Sequence, residues 1–119
     1  MKNSWKFGQS CSIDLHGCDH ELMKDPAAMK AYVRGLCSEI RMKRYGPTIV
    51  ERLGKGKYRG YSLMQLIHTS TIIAHFDEKV DRAFIDLISV KEYSPRHVAE
   101  FSRKFFRARK ARIKSFDRI

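Results

Sequence analysis

No apolar run in this chain approaches the ~20 residues that a membrane-spanning helix needs. Its opening residues, MKNSWKFGQS, lack the apolar core of a secretory signal. Both absences lead to the expectation of a soluble, cytoplasmic protein. Cysteine is scarce. Cys11, Cys18 and Cys37 are odd in number and have no C-x-x-C spacing, which argues against a disulfide framework and fits reduced thiols. No metal site is expected on His16, Cys18 and His20, because alternating residues of a strand and turn converge poorly without a second cluster. Internal repeats, low-complexity stretches and Gly-, Pro- or Ser-rich linkers are also missing, so residues 1–119 are read as one domain. Hydrophobic content of 43% and aromatic content of 11% are enough to build a core and argue against disorder.

Acid is the other shortage. Thirteen Asp and Glu stand against 24 Lys and Arg, for a net charge of +11. The imbalance concentrates at residues 101–119, FSRKFFRARKARIKSFDRI, with eight basic side chains and one acid. Such a field attracts polyanions, nucleic acid among them. The plainer reading is a solvated strand whose lysines and arginines discourage edge-to-edge aggregation.

Among what is present, QSCSIDLHG alternates polar and apolar residues up to Gly17 and reads as a first strand. In KDPAAMKAYVRGLCSEIRMKRYG, Asp25 serves as N-cap, Pro26 as first helical residue and Gly46 as the position beyond the end. Met29, Tyr32, Val33, Leu36 and Ile40 give that helix one apolar face. PTIVERLG, YSLMQLIH, STIIAHF and DRAFIDLISV follow as strands of an antiparallel meander. SPRHVAEFSRKFFRAR starts a second helix at Ser94 and Pro95, and ARIKSF closes the chain as a strand. The expected class is α+β, a two-layer sandwich in the order β-α-β-β-β-β-α-β, with both helices on one face of a mostly antiparallel sheet. The uncovered face would need a partner, so a homodimer is expected.

The stretch GYSLMQLIHTSTIIAHF, residues 60–76, carries hydroxyls and histidines inside an apolar, β-branched run. A strand serine ordinarily bonds to backbone, and His68 has only a structural role to fill. Two segments together, however, resemble the small prokaryotic S-adenosylmethionine decarboxylases. IDLHGCDHELM at 13–23 is similar to that family's first strand and turn, a D-L-aromatic-G-C-D pattern leading into a helix. Residues 60–90 align without a gap. Gly60 and Ser62 match a G-x-S opening, Ser70 falls on the serine at which the proenzyme cuts itself, His75 on the histidine five residues later, and Asp86 on an aspartate of the closing strand.

The resemblance implies self-processing at the Thr69–Ser70 bond, with Ser70 becoming a pyruvoyl group that forms a Schiff base with the amine of its substrate. That substrate would be S-adenosylmethionine or a related amine, in polyamine (spermidine) synthesis. His75, expected on an adjacent strand, would handle protons. Phe76, Glu78 and Asp86 are candidates for the substrate pocket, Asp86 as a buried carboxylate. The chain departs from the family where the proton-donor cysteine falls on Val90, where the acid before the serine is Thr69, and where the following histidine is Thr71. These departures suggest a second reading, a catalytically dead paralogue that pairs with a true decarboxylase. A third reading, a basic nucleic-acid-binding module, rests on the C-terminal charge alone.

Overall fold

The structure, a computed structural model, describes residues 6–119. Six strands and two helices follow in the expected order. They are β1 (Gly8–His16), α1 (Pro26–Glu39), β2 (Ile49–Leu53), β3 (Gly60–Ile67), β4 (Ser70–Asp77), β5 (Arg82–Ser89), α2 (Pro95–Phe105) and β6 (Lys110–Arg118). All six strands form one sheet, ordered β2-β3-β4-β5-β1-β6, with every neighbouring pair antiparallel. The fold is thus an α+β sandwich with one sheet layer and one helix layer.

Both helices begin as the sequence dictates. The Asp25 carboxylate accepts from the Ala28 N–H at 3.1 Å, and the Ser94 hydroxyl from the His97 N–H at 3.2 Å. Each cap is followed by a proline that needs no partner for its missing N–H. The far end of α1 differs from expectation, because the helix stops at Glu39 and not near Gly46. Arg41 turns the backbone into the left-handed region (φ 57), and the Met42 N–H bonds back to the Cys37 carbonyl at 2.9 Å. This turn drives Met42 into the core, where it is 7% exposed. The connection that follows is pinned to β3 by buried Gln65, whose amide donates to the carbonyls of Tyr45, Gly46 and Leu66.

Strand alternation sends one set of side chains under the helices. Ile13, Leu15, Ile72, Ala74, Ile85 and Leu87 are nearly or fully buried there against Met29, Tyr32, Val33, Leu36 and Val98. Each large side chain of this set contributes about 1.5–3 kcal/mol by leaving water. Phe106, just past α2, completes the layer, its ring centroid 4.8 Å from that of Tyr32 and 5.4 Å from that of Phe76. Buried Tyr32 donates to the Ser102 hydroxyl at 2.6 Å, and Ser102 donates in turn to the Val98 carbonyl at 2.7 Å. The helices touch at Gly35, where a Cβ would come within 2.9 Å of the Phe101 ring. No helix or strand among the described residues lies over the opposite sheet face, and Met64, Leu66 and Ile73 stay partly exposed on it.

Candidate active site

The β3–β4 hairpin has a two-residue turn, His68–Thr69, between the paired residues Ile67 and Ser70. Thr69 sits at φ 69, a region that β-branched residues avoid and glycine fills at no steric cost. The carbonyl oxygen of Thr69 accepts a hydrogen bond from the Val90 N–H at 2.9 Å. The next residue, Ser70, opens β4 on the helix-covered face and is 7% exposed. Its hydroxyl lies 2.6 Å from the Ser89 hydroxyl, its register partner on β5, and 3.3 Å from the Met42 sulfur. Ser89 is itself buried and faces the same sulfur at 3.7 Å. A strained peptide with a polarised carbonyl and a confined hydroxyl therefore meet at one bond.

His75 lies elsewhere. It shares β4 with Ser70 and does not occupy an adjacent strand. Five residues is an odd step, so the two side chains project from opposite faces, separated by roughly 16 Å along the strand. His75 faces outward, and its Nδ1 pairs with the Ser62 hydroxyl across the β3–β4 register at 2.8 Å. Gly60 begins that strand where a Cβ would stand 2.2 Å from the Phe76 carbonyl oxygen. The glycine of G-x-S is thus a packing requirement. Tyr58 and Phe84 flank His75 along a shallow groove of about 190 Å³.

The candidate pocket residues separate in the same way. Phe76 is 3% exposed beneath the helices, against Phe106. Glu78 is held by Arg52 through two hydrogen bonds, at 2.5 and 3.2 Å. Asp86 is not buried. It stands exposed on the outer face and accepts from the Ser12 hydroxyl. Nearby Asp77 loses some stability as an anion through partial burial, but bonds from Arg82 and the Lys79 N–H hold its carboxyl below the usual range. Val90 is 46% exposed beside the Thr69 carbonyl. No cysteine lies in hydrogen-bonding reach of Ser70 among the described residues. Burial pushes the Cys18 thiol up to about 11, with Asp81 adding to the shift, so it is fully protonated at neutral pH. Nor do three metal-binding side chains converge anywhere among the described residues.

Residues 9–119 match the S-adenosylmethionine decarboxylase family. The chain belongs to that family. Its fold is similar to that of an adenosylmethionine decarboxylase from Aquifex aeolicus VF5, with a TM-score of 0.78 at 12% identity over 97% of this chain and 92% of the other. No curated protein matches the chain. Within the family frame, the fold brings Ser70 together with Thr69, Val90, Ser89 and Met42, and His75 with Ser62, as two separate clusters.

Ser89 and Met42 escaped sequence reasoning because their contact with Ser70 depends on the β4–β5 register and on the turn at Arg41. The outward position of Asp86, between inward Ile85 and Leu87, could have been read from alternation.

Proposed function

We propose that this S-adenosylmethionine decarboxylase-like protein cuts itself at Thr69–Ser70, carries the resulting pyruvoyl group and decarboxylates S-adenosylmethionine or a related amine for polyamine synthesis. The observation that carries this reading is the strained Thr69 residue, whose carbonyl already accepts the Val90 N–H next to the Ser70 hydroxyl. In the first step the Ser70 oxygen bonds to the Thr69 carbonyl carbon and the C–N bond breaks, leaving an ester and a free amine. The Val90 N–H supports the charge that develops on the carbonyl oxygen. Loss of the Ser70 α-proton then expels the Thr69 carboxylate. The dehydroalanine left behind tautomerises to an imine, which water hydrolyses to the pyruvoyl carbonyl with release of ammonia. When present, a pyruvoyl group supplies an electrophilic carbonyl for a substrate amine and an electron sink for the departing carboxylate.

The proton donor and acceptor in this reading is His75, kept in one orientation by Ser62. In this reading His75, roughly 16 Å from Ser70 along the same strand, serves the Ser70 of a second copy. The uncovered sheet face, with Ile49, Met64, Leu66 and Ile73 partly exposed, is the surface through which a homodimer would form. Val90 favours the second reading, a dead paralogue that binds a related decarboxylase, because an isopropyl group has no proton to return to a decarboxylated carbanion.

Release of labelled carbon dioxide from carboxyl-labelled S-adenosylmethionine separates the two. A slow release by cleaved protein, at least about tenfold faster in Val90→Cys, supports the enzyme. No release by fully cleaved protein of either form supports the paralogue.

A further inference from the structure

We propose that Ser89 is a positioning residue for the Ser70 hydroxyl in the cut at Thr69–Ser70, an inference that rests on the self-processing reading. On the helix side of the sheet, rows of side chains run across β1, β5 and β4. Cys11, Leu87 and Ile72 form one apolar row, and Ile13, Ile85 and Ala74 form the next. The end row breaks this pattern with Gln9, Ser89 and Ser70. Ser89 is 1% exposed, and a hydroxyl buried so deeply is unfavourable unless it is bonded. Packing alone would be served by alanine, so it does not select serine there.

The bonds of that hydroxyl converge on the Ser70 oxygen. Ser70 donates to Ser89 at 2.6 Å, and Ser89 faces the Met42 sulfur, a weak acceptor, at 3.7 Å. A hydroxyl attacks through a lone pair, and a bond that fixes its proton also fixes where its lone pairs lie. Ser89 is no base, so it orients the Ser70 oxygen and does not deprotonate it. As the Ser70 oxygen bonds to the Thr69 carbonyl carbon and the C–N bond breaks, the hydroxyl proton ends on the freed amine, carried there by His75 of the second copy.

The backbone holds Ser89 in place. At Gly8, β1 closes on it so tightly that a Cβ would stand 2.2 Å from the Ser89 carbonyl oxygen. The next residue, Val90, gives its N–H to the Thr69 carbonyl. Two consecutive residues at the end of β5 therefore address both reacting groups, the hydroxyl and the carbonyl. Gln9 stands in the same row without joining these bonds, its amide oxygen buried with no partner among the described residues.

Cutting of the full chain, followed on gels from cell-free synthesis onward, tests this. Ser89→Ala should be cut at least about tenfold more slowly than the unaltered chain, because a small misplacement of a reacting group slows its attack steeply. Ser89→Thr keeps the hydroxyl and should return most of the rate. Gln9→Leu removes a polar neighbour from the same row and should change the rate little. Mild hydroxylamine cleaves an ester and spares an ordinary peptide bond. It should not speed the cutting of Ser89→Ala, in which the ester itself forms slowly. Ser89→Ala cut as fast as the unaltered chain would overturn the proposal. So would hydroxylamine that restores its cutting, or equal slowing in Ser89→Thr or Gln9→Leu, which marks packing of the row and not the hydroxyl. Each of those results leaves self-processing standing. An unaltered chain that stays intact removes self-processing and this proposal with it.

Discussion

Thr69 holds a backbone conformation that costs a β-branched residue on the order of 1–2 kcal/mol, at the peptide carbonyl that Ser70 is proposed to attack. If that strain assists the reaction, relieving it should separate stability from cleavage. Thr69→Gly is expected to raise the melting midpoint by a few degrees, since ~1 kcal/mol shifts a domain of this size by ~4 °C. Cleavage should slow at the same time. A higher midpoint with an unchanged cleavage half-time, followed by gel densitometry and calorimetry, would remove strain from the account. Ser70 was legible as a candidate from its alignment and from its spacing to His75, whereas the strain was not. A His-Thr turn carries no glycine to announce a positive φ, and only the Ile67–Ser70 pairing imposes it.

Among the elements, β4 both organises and divides the chemistry. One face of it carries Ser70, Ile72, Ala74 and Phe76 into the helix-covered core, and the other carries His75 outward. That division was available from parity, because an odd step along a strand always changes face. The strand and helix order was legible for a related reason: the caps at Asp25 and Ser94 and the alternation of each strand agree with the layers they build. The end of α1 was not. Continued apolar spacing through Ile40 suggested more helix, while the turn at Arg41 and the burial of Met42 depend on packing against Ser70 and Ser89. The α2 end of the core rests on Phe106, which contacts Tyr32, Phe76 and Phe105. Phe106→Ala should cost about 3–5 kcal/mol and lower the melting midpoint by more than ~10 °C. A loss below ~1 kcal/mol would mean that the neighbouring rings collapse into the space.

At the scale of the whole molecule, the two clusters of catalytic candidates lie on opposite faces of one sheet, and the proposal above joins them through a second chain. Ser70→Ala chains retain His75, and His75→Ala chains retain Ser70. Each variant alone should stay intact. When the two are co-expressed, the His75→Ala chain should be cut, because its Ser70 meets the partner's histidine. Co-expressed chains that both stay intact would place proton transfer within one chain or on another group. Above this stands the claim that the chain processes itself at all, and intact-mass analysis under denaturing conditions addresses it most directly. Freshly purified and incubated protein should yield two fragments, residues 1–69 with a free carboxylate and residues 70–119 with Ser70 converted to a pyruvoyl group, and Ser70→Ala should yield neither. A single mass corresponding to residues 1–119 after prolonged incubation would contradict the account.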